Sequence, residues 1–336
     1  MGVGGLYGYT TRLRSAFAQY AGVKSVAAGN LDAAIDHFSV AARAEARNYR
    51  IYQSLVQLRL QKIRALIQRA AGGENVQQEF QSTVSTTVQD AQTSIRLYGV
   101  DPSLWEAQGN IYELILPFIS GSELFAQDSY RRAFELDPQN PTYLIDLGRA
   151  GLTYADRLQL AFNQASGSDR GQIEKDRIAV LEGVLSSLEH AARLKPDLAS
   201  AHFLLAQTAL RLGNTQGAIQ STENAKIAAP FDVGVAFQLG LLYYQSNDLK
   251  RAEQEFARAI SLNPNYSNAR YFLGLIYSRS GRRDNAIAEF EKILVFNPDN
   301  QEVKKILGNL RAGKNALSGI APPGELPEKR KETPVR

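Results

Sequence analysis

The chain has 336 residues, 44% of them hydrophobic and 21% charged, with 26 Gly, 12 Pro and a formal net charge of +4, a balance that folds around a core and excludes a disordered or collagen-like chain. With no Cys there is no disulfide framework, thiol nucleophile, iron–sulfur cluster or thiolate zinc site, and three widely spaced His (His37, His190, His202) leave little for imidazole chemistry. Four prolines, Pro196, Pro230, Pro264 and Pro298, recur every 34 residues, which is a helix-turn-helix period. Placing this proline at position 32 sets the register for the whole chain.

Residues 1–14 form an apolar, Gly-rich lead. It has neither the basic start and apolar run of a signal peptide nor the roughly 20 apolar residues of a spanning helix, which predicts a soluble, cytoplasmic chain as written. Tyr7 and Tyr9 followed by Arg12 and Arg14 nonetheless resemble the trailing edge of a membrane span, with interfacial aromatics and a basic flank. Residues 1–70 carry ten Lys or Arg against three Asp or Glu, so the basicity is local and the remainder of the chain is net negative. A phosphate track for nucleic acid is therefore not expected.

Residues 15–101 predict two divergent helical repeats. The first, 15–48, has Gly22, Gly29, Ala34, Phe38 and Ala41 at positions 8, 15, 20, 24 and 27. The second, 49–101, keeps a helical period through Ile51, Leu55, Leu58, Ile63 and Leu66 but carries an insertion with Gly-Gly near 71–80. Residues 102–300 predict five more. Trp105, Gly109 and Tyr112 occupy positions 4, 8 and 11, and Ala126, Tyr130, Ala133 and Pro138 form the second helix after a long apolar turn, Ile115 to Gly121. The next repeat pairs Leu147 and Gly148 with Leu188 and Ala191 across an insertion at about 155–178, whose polar stretch 163–171 predicts extended helices and a flexible tip. Three repeats in 34-residue register follow. Leu205, Ala206, Gly213, Ala218 and Ala225 mark the first, Leu239, Gly240, Tyr243, Ala252, Phe256 and Ala259 the second, and Leu273, Gly274, Tyr277, Gly281, Ala286 and Phe290 the third. Small residues at 8 and 20 let antiparallel helices approach, large ones at 7, 11 and 24 fill the space around them, and the proline ends the second helix. Residues 301–312, with Val303, Ile306, Leu307 and Leu310, predict a capping helix. The Pro-rich, charged stretch 313–336 predicts a disordered tail.

These positions resemble the tetratricopeptide repeat (TPR) family, strongly over 102–300 and moderately over 15–101. The resemblance implies an all-α solenoid, a right-handed superhelix of about seven helix hairpins with a C-terminal capping helix, whose first helices line a concave channel. It also implies a non-catalytic scaffold that binds a protein or peptide segment, with no cofactor or metal. In the family, positions 2, 5, 9, 12 and 13 face the channel. Position 5 here reads Ile145, Phe203, Phe237 and Tyr271; position 9 reads Arg149, Gln207, Leu241 and Leu275; Tyr244 is at 12, and Arg211 and Arg279 are at 13. An apolar, aromatic channel with Arg handles suits capture of an extended or helical peptide. The same residues also suit packing against the neighbouring repeat. The family's clamp for C-terminal carboxylates is not matched: its positions read Glu106, Asn110, Asp146, Ser200 and Leu204, of which only the Asn agrees.

A second resemblance is to bacterial envelope proteins, such as O-antigen ligase-like polymerases, that carry TPR arrays beside a membrane domain. It implies a membrane-tethered accessory region of an envelope-polysaccharide enzyme whose catalytic part lies upstream of Met1. Within the chain no strand alternation, phosphate loop or HExxH motif occurs. The three His are expected to pack or face solvent, Glu253/Glu255 and Glu289/Glu291 are expected on solvent-facing helix surfaces, and Asp156, Asp169 and Glu174 in the insertion would have to cluster densely to form an active site.

Overall fold

The computed structural model describes residues 3–320, and among these the regular structure is fifteen α-helices. They fall into two compact bodies, Met1–Leu194 and Lys195–Arg336. The first contains α1 (Val3–Ala27), α2 (Leu31–Ala44), α3 (Tyr49–Ala71), α4 (Gln77–Tyr98), α5 (Pro102–Ile115), α6 (Ser122–Leu136), α7 (Thr142–Gln164) and α8 (Ser168–Leu194). The second contains α9 (Ala199–Arg211), α10 (Thr215–Ala228), α11 (Val233–Gln245), α12 (Leu249–Leu262), α13 (Ser267–Arg279), α14 (Arg283–Phe296) and α15 (Gln301–Arg311). Within each body, odd and even helices pair as hairpins, and each second helix packs on the first helix of the next pair.

The helices start and stop where the side chains dictate. Asn30, Asn48 and Asp101 in the first body, and Asn214, Asp232, Asp248 and Asn300 in the second, accept hydrogen bonds from backbone N–H groups of the first turn, each such cap contributing about 1 kcal/mol. Gly29, Gly213 and Gly281 at position 15 turn the chain with φ of 73°, 74° and 77°, and Asn247 takes the same left-handed conformation at position 15 between α11 and α12. The recurring prolines lie just past the ends of second helices, in the corners.

Inside each hairpin, position 8 meets position 24. A Cβ added to Gly22 would lie 2.6 Å from the Phe38 ring, to Gly109 2.5 Å from Tyr130, to Gly148 2.7 Å from Leu188, to Gly240 2.8 Å from Phe256, and to Gly274 2.7 Å from Phe290. In the two remaining hairpins the first helix carries a residue larger than glycine and the second helix carries no ring. Val56 occupies position 8 of α3 and shares a buried cluster with Ala91 of α4; Ala206 in α9 is matched by the smaller Thr222 in α10, both buried. Where the first helix gains a side chain the second gives up its ring, so the interhelix volume stays filled.

The insertion at 155–178 is absorbed as length in α7 and α8, which leaves a tip of only three residues at 165–167. Composition assigned 313–320 to the tail, yet this stretch folds back on α15: Ala316 is buried, and Asn309 Nδ2 donates to the carbonyls of Ala316 and Ser318 at 3.0 and 2.8 Å. The remainder of the proposed tail, 321–336, and residues 1–2 lie outside the described residues.

Candidate functional site: the first-helix face

The channel positions separate into two groups. In the C-terminal body Phe237 and Tyr271 are 5% and 6% exposed, and Leu241 and Leu275 are also buried. The Phe237 ring lies between those of Phe256, Tyr266 and Phe272, at centroid distances of 5.7, 5.1 and 6.0 Å, and the Tyr271 hydroxyl donates to Glu302 Oε1 at 2.6 Å. These four side chains form the stacking core between repeats and offer little area to a ligand. Phe203, Gln207, Arg211 and Tyr244 are half-buried, while Leu210 and Arg279 are exposed. Tyr244 packs edge-on to Phe272 at 5.3 Å, with the Arg279 guanidinium 5.7 Å from its ring centre and Arg279 Nη2 donating to Asn247 Oδ1 at 3.0 Å. A firm aromatic base thus carries a row of partly open aromatic, amide and guanidinium groups.

In the N-terminal body Ile145 is buried, and Arg149 is engaged in a polar network. Its Nε donates to Glu113 Oε1 at 2.5 Å and its Nη2 to Asp146 Oδ1 at 2.8 Å, while Tyr130 donates to Glu113 Oε2 at 2.6 Å. Burial raises the Asp146 carboxyl to about 6 against the opposing pull of Arg149, with Glu113 adding repulsion. The folded carboxyl therefore binds a proton more tightly than the unfolded one, at its ordinary value of about 3.9. The contribution of this one group to stability is fully present in acid below that value and is lost as pH rises through about 6. Asp146→Asn keeps an acceptor for Arg149, and chemical denaturation between pH 4 and 7 is expected to show the wild-type chain losing stability relative to the variant as pH rises through about 6.

Glu255 and Glu289, expected to face solvent, are instead buried. Glu255 takes Lys226 Nζ at 2.6 Å and Arg258 Nε at 2.7 Å; Glu289 takes Arg270 Nη1 at 2.5 Å and Lys292 Nζ at 2.8 Å. Each carboxylate joins two helices by ion pairs with both of them, which compensates its burial. Arg258, Arg270, His202 and Trp105 share another task that sequence patterning missed. They meet corner carbonyls: Arg258 Nη1 at Pro230 O (2.8 Å), Arg270 Nη2 at Pro264 O (2.6 Å), His202 Nε2 at Pro196 O (2.8 Å) and Trp105 Nε1 at Gly99 O (2.9 Å). Three of the four stand at position 4, a recurrence that was readable. His190 packs edge-on to Phe134 at 5.3 Å and His37 is half-buried. In the insertion Glu174 pairs with Arg177 at 2.7 Å, and no metal-holding group of three or more His, Cys, Asp or Glu occurs among the described residues.

Residues 185–233 and 237–301 match the tetratricopeptide repeat family model. Residues 185–301 thus carry tetratricopeptide repeats. Solved structures similar to this TPR chain include MamA (22% identity, 58% of this chain and 91% of that one, TM-score 0.45). Another is YrrB, described as a TPR protein with an unusual peptide-binding site (18%, 64% and 95%, 0.46). A third is a tetratricopeptide repeat protein from Parabacteroides merdae (14%, 89% and 99%, 0.49). No curated protein matches the sequence.

Two departures from the regular TPR unit meet in the N-terminal body. The α3–α4 turn and the α5–α6 loop border an open pocket of about 560 Å³ lined in part by Leu66, Val76, Phe80, Val84, Phe118 and Ile119, with Phe80 edge-on to Phe118 at 5.2 Å.

Proposed function

We propose that this TPR protein is a non-catalytic scaffold that binds a peptide or protein segment on the first-helix face of its C-terminal body. The contacting groups in this reading are Phe203, Gln207, Leu210, Arg211, Tyr244 and Arg279. The observation that supports it is the division of labour just described. Phe237, Leu241, Tyr271 and Leu275 are spent on packing, whereas Tyr244, backed by Phe272 and flanked by Arg279, keeps open area on a preorganised base. Rigid aromatic anchors beside guanidinium groups favour a segment that supplies apolar side chains and a carboxylate.

Selecting peptides from a displayed random library on the full chain, then titrating the winners, tests the reading. Phe203→Ala combined with Tyr244→Ala is expected to weaken them about tenfold or more, as losing anchors of this type does, with helicity unchanged. Selected peptides that bind the double variant as well as the wild type would remove this face from consideration.

A further inference from the structure

The outer face of α1 is an exposed apolar surface on the N-terminal body that the peptide-binding reading does not use. Ser15, Ala18 and Gly22 turn inward, Gly22 onto the Phe38 ring of α2. On the opposite side of the same helix, Tyr9, Leu13, Phe17, Tyr20 and Val23 follow a helical spacing, and all are exposed, Phe17 by 65% and Tyr20 by 61%. A helix with apolar residues on both faces has one face that its own hairpin does not cover.

The charges around this strip restrict what covers it. From residue 3 to residue 27 the helix has Arg12, Arg14 and Lys24 and no acidic residue. Ser15 Oγ donates to Glu45 Oε2 at 2.9 Å, which sets the N-terminal half of α1 beside the end of α2. There Arg43, Arg47 and Arg50 are exposed, and Glu45 is the one carboxylate, held by Ser15 and by Asn48 Nδ2 at 3.3 Å. A second copy docked through the same strip would set cation against cation in either direction: Arg12 faces Lys24 if the helices run antiparallel, and Arg12 faces itself if they run parallel. The aromatic residues are of the amphipathic kind. Tyr9 and Tyr20 carry hydroxyl tips on apolar rings, and Lys24 Nζ sits 5.1 Å from the Tyr20 ring centre. Phenol rings interleaved with cations along an apolar helix face match the boundary between lipid headgroups and acyl chains.

We propose that α1 lies along an anionic lipid surface, with Leu13, Phe17 and Tyr20 in the acyl boundary and Arg12, Arg14, Lys24 and the α2–α3 arginines among the headgroups. The helix lies on the bilayer and does not cross it, in keeping with the finding that no described helix is long and apolar enough to span a membrane.

The test is flotation of the full chain with vesicles of phosphatidylcholine alone and with vesicles in which about one lipid in three is phosphatidylglycerol, an anionic surface of the kind that attracts basic segments. Binding is expected to the anionic vesicles only, and to fall at least about tenfold in Phe17→Ser/Tyr20→Ser, as burial of two aromatic rings implies. Both side chains are exposed, so the variant keeps wild-type helicity and still binds peptides selected on the first-helix face. Absence of flotation, or flotation that the double variant leaves intact, overturns the proposal. So does a wild-type dimer in light scattering that the same variant converts to monomer without any vesicle binding, since the strip then belongs to a second copy.

Discussion

Replacing Phe237 by Ala is expected to destabilise the C-terminal body by about 3–5 kcal/mol, the range for deleting a buried aromatic side chain, and to do so without reporting on ligand contact. The ring touches Phe256 within its own hairpin and Tyr266 and Phe272 of the next, so its loss opens a cavity at the joint between two repeats. Repeat arrays unfold in pieces as well as in one step, and the single Trp, Trp105, stands in the other body. Hydrogen exchange resolved over α11 to α14 is therefore the appropriate measurement. Faster exchange is expected there, with α1 to α6 unchanged. Tyr244→Ala, which removes a half-buried ring from the same face, is expected to cost about 1 kcal/mol or less. If the two variants prove equally destabilising, the separation between packing and contact residues fails.

Arg270→Ala is the second large effect, about 3–5 kcal/mol, because it strips one partner from a buried ion pair. The guanidinium both neutralises Glu289 and donates to Pro264 O at 3.0 Å from Nε and 2.6 Å from Nη2. Removing it leaves a buried carboxylate with only the half-exposed Lys292 and a corner carbonyl without its donors. Glu289→Gln, which keeps an acceptor and removes the charge, is expected to cost much less. Denaturation of both single variants and of the double variant measures this. A coupling energy near zero would show that Arg270 acts through its alkyl chain alone.

The parts of the fold that repeat were legible. Prolines, position-15 glycines and small residues at 8 and 20 are backbone and close-contact requirements, each with a narrow choice of residue, and they recur in register from 199 to 300. The burial of Glu255 and Glu289 was not legible, because a carboxylate on a second helix ordinarily reads as solvent-facing and the compensating cations lie up to 29 residues away, at Lys226 and Arg270. The division of the channel positions into buried and open side chains was not legible for a related reason. Register places position 5 on the inner face, but whether that face is open depends on what the next repeat sets against it, and here Phe272 at position 6 closes over Phe237. The polar tract 163–171 reads as a loop by composition, yet long helices on both sides continue through most of it. Neither signal for the outer face of α1 needed the fold, only the recognition that Tyr9, Leu13, Phe17 and Tyr20 lie opposite Ser15, Ala18 and Gly22.

The reciprocal sizes at positions 8 and 24 make the hairpin, and not the helix, the smallest interchangeable part of this chain. A first helix bearing Val56 or Ala206 grafted onto a second helix bearing Phe256 or Phe290 would force a methyl-sized group into a filled ring site, and the converse graft would leave a void. Recombination within such a gene would thus be tolerated at corners and selected against at turns, and any library built by shuffling its modules should cut at the prolines.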